Sequence, residues 1–195
     1  RSLPTVIIET HGCKLNQADS QALARRFTRA GYQVMGPDQS ADVYVLDTCT
    51  VTQVADRKAR QALRAARRRN PQALIVATGC YAQRAPADLE TIQGVDLVLG
   101  NTDKDALVQE IVSLQKDVFS PCAIGEERPV EDGWNDFKGV HRVRAMAKIQ
   151  EGCNQVCTYC IVPKVRGRER SIPAASLVDQ ILALEDEGFQ EVVLT

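Results

Sequence analysis

Along the first hundred residues, short runs of β-branched and aliphatic residues alternate with stretches in which apolar positions recur every three or four residues. The runs predict strands at 5–9, 42–47, 74–77 and 95–99. The helical periodicity predicts helices at 19–30, where Leu23 and Phe27 lie one turn apart and Gly31 is a stop, and at 56–69, closed by Asn70 and Pro71. Two further helices are expected at 87–92 and 103–114, the second capped by Thr102 or Asp103. Strands that alternate with helices in this way read as a parallel sheet with crossover helices, an α/β fold.

The pattern fades from 115 to 141, where Pro121, Gly125, Pro129, Gly133 and Gly139 are scattered among acids. This stretch reads as a connection, with a short element around Trp134 and Phe137. Periodicity then resumes: 143–149 alternates like a strand, a cysteine-rich loop follows, 174–188 places Leu177, Val178, Ile181 and Leu184 on one helical face, and 191–194 is strand-like. We therefore expect a first domain over 1–114, a linker over 115–141, and the opening βαβ portion of a second parallel sheet over 142–195. No internal repeat or low-complexity segment interrupts this plan.

A length of 195 residues leaves room for one or two domains. The chain opens on Arg1 and stops in an apolar run, so a piece of a longer protein is expected. Its longest apolar stretches are strand-sized, far short of the ~20 residues of a membrane span. A soluble, cytoplasmic protein with no membrane partner is expected. In such a reducing compartment, seven cysteines are ligands or reactive thiols rather than disulfides.

The net charge of −1 is unevenly distributed. Arg57, Lys58, Arg60, Arg64, Arg67, Arg68 and Arg69 form an acid-free stretch, whereas five acids and one arginine occupy 126–136. The near-neutral total leaves a polyanionic partner open, and a solvated helix surface is the plainer reading of the same arginines.

Six of the cysteines fall into two sets of three. Cys153, Cys157 and Cys160 form a compact C-x3-C-x2-C loop directly after a predicted strand. Cys13, Cys49 and Cys80 each follow a predicted strand, and loops after parallel strands emerge on one edge of the sheet, so three distant residues converge. Three thiolates leave one position of a metal site free, which points to two iron–sulfur clusters that can each bind something besides protein. For the compact loop the alternative is zinc completed by His141 or Cys122, although zinc sites usually use C-x2-C pairs. For the dispersed set the alternative is ordinary buried cysteine.

The compact loop resembles the signature of the radical S-adenosylmethionine (SAM) superfamily. The resemblance implies a 4Fe-4S cluster on Cys153, Cys157 and Cys160 whose open iron chelates SAM, with Tyr159 near the adenine. The three blocks 10–20, 47–52 and 78–83, around Cys13, Cys49 and Cys80, are similar to the N-terminal domain of the methylthiotransferases, which join it to a radical SAM barrel and a small RNA-binding barrel. The fold implied is a flavodoxin/Rossmann-like domain followed by the start of a partial TIM-type barrel. Gly12 to Gln17, Val51 to Lys58 and Gly79 to Gln83 look like the branch that acts on C2 of N6-threonylcarbamoyladenosine in tRNA. Asp47 departs from the usual Asn before Thr-Cys, and a carboxylate there can lower a neighbouring cluster's potential.

By that resemblance, Cys13, Cys49 and Cys80 hold an auxiliary 4Fe-4S cluster that carries the sulfur to be transferred. One SAM donates methyl, and a second is cleaved to give the radical that removes hydrogen from the adenine ring. No side chain is expected as a catalytic acid or base. The implied partners are the tRNA anticodon stem-loop, SAM, and an electron donor such as flavodoxin or ferredoxin. Arg57, Lys58, Arg64, Lys164, Arg166, Arg168 and Arg170 are the expected RNA contacts. The alternatives are a methylthiotransferase for isopentenyladenosine or a ribosomal-protein aspartate, and a non-catalytic metal-binding module. His11 reads as a hydrogen-bonded loop residue, Asn16 and Asp19 as structural supports of the first loop, and Cys122 as a free thiol.

Overall fold

A computed structural model describes residues 3–115 and 144–195. The linker with Trp134 and Phe137, and the candidate ligands Cys122 and His141, lie outside the described residues.

The first unit is built from β1 (Thr5–Thr10), α1 (Lys14–Arg29), β2 (Gln33–Met35), β3 (Val43–Thr48), α2 (Gln53–Arg69), β4 (Leu74–Gly79), α3 (Cys80–Arg84), α4 (Pro86–Glu90), β5 (Leu97–Leu99) and α5 (Leu107–Leu114). The five strands form one wholly parallel sheet in the order β2-β1-β3-β4-β5, the doubly wound flavodoxin-like order. β3 is central and buried along its whole length, and its alternating side chains feed two cores. Val43 and Val45 meet Leu23 and Phe27 of α1 and Leu107 and Ile111 of α5. Tyr44 and Leu46 meet Ala59 and Leu63 of α2 and Tyr81 of α3. Helices thus cover both faces, as the uninterrupted apolar strands require.

Two local expectations are corrected, and two short elements are added. α1 begins at Lys14 rather than 19, because nothing in 14–18 breaks a helix, and Cys13 becomes its N-cap residue. α5 is capped at Ala106, while the Thr102 hydroxyl turns to Gln83 and Asp103 instead. β2 and α3 carry too few residues to show a period, and the sequence pattern predicts neither.

The second unit contains β6 (Arg144–Ala147), β7 (Gln150–Glu151), α6 (Val162–Val165), β8 (Arg170–Ser171), α7 (Ala174–Asp186) and β9 (Glu191–Leu194). β6 and β9 pair in parallel across α7, the expected βαβ arrangement. Only Leu184 of the predicted apolar face of α7 is fully buried, and Val178 is exposed. The antiparallel β7–β8 pair closes the neck of an excursion over 152–169, which carries all three cysteines of the compact loop.

Candidate metal centre

Cys13, Cys49 and Cys80 stand at the carboxyl ends of β1, β3 and β4, which are neighbours in the sheet. This edge includes the β1–β3 switch point, where doubly wound folds bind ligands. Cys13 is exposed at the start of α1, whereas Cys49 and Cys80 are buried. Burial pushes the Cys49 thiol up, and negative charge on Cys80 and Cys13 would push it further, so the three sulfurs share one electrostatic neighbourhood.

Glycine makes the approach of β4 possible. Gly79 has φ +95°, and a Cβ there would sit 2.3 Å from Asp47 Oδ1 and 2.5 Å from the Thr48 carbonyl oxygen. Only glycine lets the chain turn against β3 and deliver Cys80 as the first residue of α3.

Beneath the thiols lies a buried polar network. The Cys13 thiol donates to Asn16 Oδ1 at 3.2 Å, and Asn16 Nδ2 donates to Asp47 Oδ1 at 3.1 Å and the Thr48 carbonyl at 3.2 Å. Asp47 is fully buried; burial drives its carboxyl above the ordinary range, against the pull of Lys104 Nζ at 2.9 Å. That ion pair sets a cation against the carboxylate which the sequence brings close to Cys49. Lys104 Nζ also reaches Asp19 Oδ2 at 3.2 Å, so both acids share one ammonium. Asn16 and Asp19 are therefore structural, as expected, and act through contacts distant in sequence. His11 is hydrogen-bonded as expected, with Nε2 2.8 Å from Glu9 Oε1.

Asp19 also receives the second unit. Lys148 Nζ lies 2.8 Å from Asp19 Oδ1, and Arg166 Nη1 lies 3.0 Å from Asp19 Oδ2 and 3.1 Å from Glu151 Oε1. Burial alone would raise the Asp19 carboxyl, but Lys104, Lys148 and Arg166 together hold it down at about 2. The expected role of Arg166 in RNA contact is corrected here. Its side chain is 2% exposed and its Nη1 is taken by this network, out of reach of a phosphate.

The compact loop is more open. Cys153 and Cys160 are half-buried, Cys157 is exposed, and Tyr159 is 90% exposed. The Cys153 amide donates to the Gly167 carbonyl and the Cys160 amide to the Cys157 carbonyl, both at 3.1 Å. A cleft of about 570 Å³ opens beside Cys153, lined also by Asn154, Pro163, Gly167, Arg168 and Glu169.

Among the described residues, no three Cys, His, Asp or Glu side chains close on a point suited to one metal ion. A cube fixes each thiolate to a different iron, so its ligands stand wider apart than those of a single zinc. Three thiols raised from the ends of neighbouring strands are a donor set of the chemistry that iron–sulfur clusters take.

On the basic helix α2, Arg57, Lys58, Arg64 and Arg68 face solvent. Arg67 does not: its guanidinium donates to the carbonyls of Gly94, Pro71 and Ala73 and pairs with Asp96. Arg60 is bound to the Tyr81 hydroxyl at 2.6 Å. In the second unit Lys164, Arg168 and Arg170 are exposed.

Residues 5–100 match the model of a family described as uncharacterized protein family UPF0004. The first domain belongs to that family. The match spans β1 to β5, including all three strand-end cysteines. Similarity to named proteins extends through both units. The chain is 44% identical over 195 residues to the threonylcarbamoyladenosine tRNA methylthiotransferase MtaB of Aquifex aeolicus, covering 97% of this chain and 47% of the relative. It is 39% identical over 204 residues to the protein of that name from Bacillus subtilis, with coverages of 99% and 43%. A tRNA-2-methylthio-N(6)-dimethylallyladenosine synthase of Chloroherpeton thalassium is 32% identical over 195 residues, with coverages of 97% and 43%. This methylthiotransferase-related chain spans a little under half the length of these curated relatives. Among its described residues no helix is long and apolar enough to cross a membrane.

Proposed function

We propose that this chain is the cluster-bearing portion of a cytoplasmic tRNA methylthiotransferase that modifies C2 of N6-threonylcarbamoyladenosine beside the anticodon. The observation that carries this reading is the gathering of Cys13, Cys49 and Cys80 on one sheet edge, in a chain 44% identical to a protein named for that reaction. Cys13, Cys49 and Cys80 would hold one 4Fe-4S cluster, and Cys153, Cys157 and Cys160 a second one with SAM, Tyr159 lying near its adenine. When bound, these groups supply radical hydrogen removal and sulfur delivery, which acids and bases cannot provide at an aromatic C–H carbon.

The chain's own residues hold and orient. Asn16 accepts from the Cys13 thiol and orients it, Gly79 lets the end of β4 close against Asp47, and Asp19 docks the unit carrying the compact loop against the first sheet. Arg57, Lys58 and Arg64 on α2, with Lys164, Arg168 and Arg170 after the compact loop, offer exposed cations to the phosphates of an anticodon stem-loop. An electron donor such as flavodoxin or ferredoxin would complete the partners.

Relatives named for threonylcarbamoyladenosine reach 44% identity, against 33% for those named for dimethylallyladenosine, which favours the first substrate. Mass analysis of tRNA nucleosides from cells with and without the gene tests this choice. Loss of 2-methylthio-N6-threonylcarbamoyladenosine is expected, and loss of the isopentenyl derivative alone would overturn it. Anaerobic reconstitution tests the centres: about eight irons for two cubes, falling to about half when either triad is replaced by alanine.

A further inference from the structure

At the junction of the two units, Arg166 Nη2 and Asn101 Oδ1 are both buried without an oxygen or nitrogen partner, and both side chains stand beside Cys80. Arg166 immediately follows α6, and its Nη1 is engaged by Asp19 and Glu151, while Nη2 is buried with no oxygen or nitrogen partner. A buried donor without a matched acceptor is costly, more so when it is charged. Burial works against the Arg166 charge, and Cys80 and Asp19, each hydrogen-bonded to the guanidinium, hold it up.

A second donor converges from the first unit. Asn101, in the turn after β5, directs Nδ2 to the Val165 carbonyl at 2.8 Å and to Cys80 Sγ at 3.6 Å. One carboxamide thus ties the residue before Arg166 to the thiol.

We propose that Arg166 Nη2 and Asn101 Nδ2 are hydrogen-bond donors to the sulfur shell of the group held at Cys80. The first unit's centre is then completed by a side chain that the second unit delivers. This rests on the reading that Cys13, Cys49 and Cys80 hold an iron–sulfur cluster. Both are positioning residues: they bind the sulfurs, not the reacting carbon. Donors to cluster sulfurs stabilise the reduced, more negative state, so their removal lowers the midpoint potential.

The test uses anaerobically reconstituted protein in which Cys153, Cys157 and Cys160 are alanine, so that only the first centre reports. Electron paramagnetic resonance and a redox titration are recorded for the parent and for Arg166→Gln, Arg166→Lys and Asn101→Leu. Arg166→Gln is expected to lower the midpoint, alter the resonance line shape, and speed iron loss to a chelator about tenfold. Arg166→Lys, which keeps a cationic donor, is expected to recover part of the potential. Asn101→Leu lies outside the ion network and tests the idea even where Arg166→Gln fails to fold; its midpoint should move in the same direction. Parental midpoints and line shapes in folded, iron-loaded variants overturn the proposal alone. Absence of a cluster in the parent instead sinks the functional reading on which it stands.

Discussion

Asp19 and Arg166, 147 residues apart in sequence, meet at 3.0 Å with both side chains almost wholly buried. The carboxylate lies mid-helix in α1 and the guanidinium just past α6, so this ion pair, with that of Lys148 and Asp19, joins the two cysteine-bearing units. Asp19→Ala would leave Lys104, Lys148 and Arg166 without their shared anion. Removing one partner of a buried pair costs about 3–5 kcal/mol. Urea unfolding is expected to show that loss, with a coupling energy between Asp19→Ala and Arg166→Ala well above the few tenths of a kcal/mol found for distant sites.

The same carboxylate makes stability depend on acid. Asp19 titrates at about 2 in the fold, against an ordinary 3.8. A depressed value contributes stability in full above the unfolded pKa and loses it as pH falls through the folded one, here between pH 4 and 2. The contribution is about 2 kcal/mol. Denaturant midpoints measured down this window should fall more steeply for the parent than for Asp19→Asn, which has no such proton to gain.

Gly79 and Gly31 share a positive φ but not their surroundings. An alanine Cβ at Gly79 meets Asp47 and backbone atoms of Thr48, whereas nothing lies within 4 Å at Gly31. Gly31→Ala carries only the conformational strain, of order 1 kcal/mol. Gly79→Ala adds a collision with β3 and is expected to cost about 3 kcal/mol or more. It should also reduce iron bound at the first centre while sparing the second, as metal analysis of the two alanine-triad backgrounds would reveal.

On α2 two arginines only three residues apart are expected to behave oppositely. Arg64 is exposed, and its replacement with Arg57 and Lys58 by alanine should leave the melting temperature unchanged. Each phosphate left without its cation should reduce the salt slope of tRNA binding by about 0.7–0.9. Arg67 closes three carbonyls and Asp96, so Arg67→Ala should lower stability by about 1–3 kcal/mol without a specific change in that slope.

Much of this design is legible in the chain. β1, β3 and β4 are continuous β-branched runs, and Cys13, Cys49 and Cys80 follow them at intervals of one strand and helix, so the sheet and the edge bearing the thiols are both readable from sequence. β2 is not, because three residues at the edge of a sheet carry no period. Nor is the charge network: Lys104 pairs with Asp47 across 57 residues and with Asp19 across 85, and no local spacing encodes such contacts. Arg166 escapes a sequence reading for a related reason. It belongs to the dense basic run 164–170, whose other cations face solvent, and only tertiary packing singles it out. Asn101 carries no signal beyond following a strand end.

The uneven accessibility of the thiols sets an order of chemical vulnerability. Peroxide attack tracks exposure and thiolate character, and Cys49 is both enclosed and held protonated by its surroundings. Cys13 and Cys157 stand at the rim of their respective sets. Peroxide is therefore expected to reach these two first, giving sulfenic acids that a neighbouring thiol of the same trio traps as a disulfide, so that one exposed arm disables two.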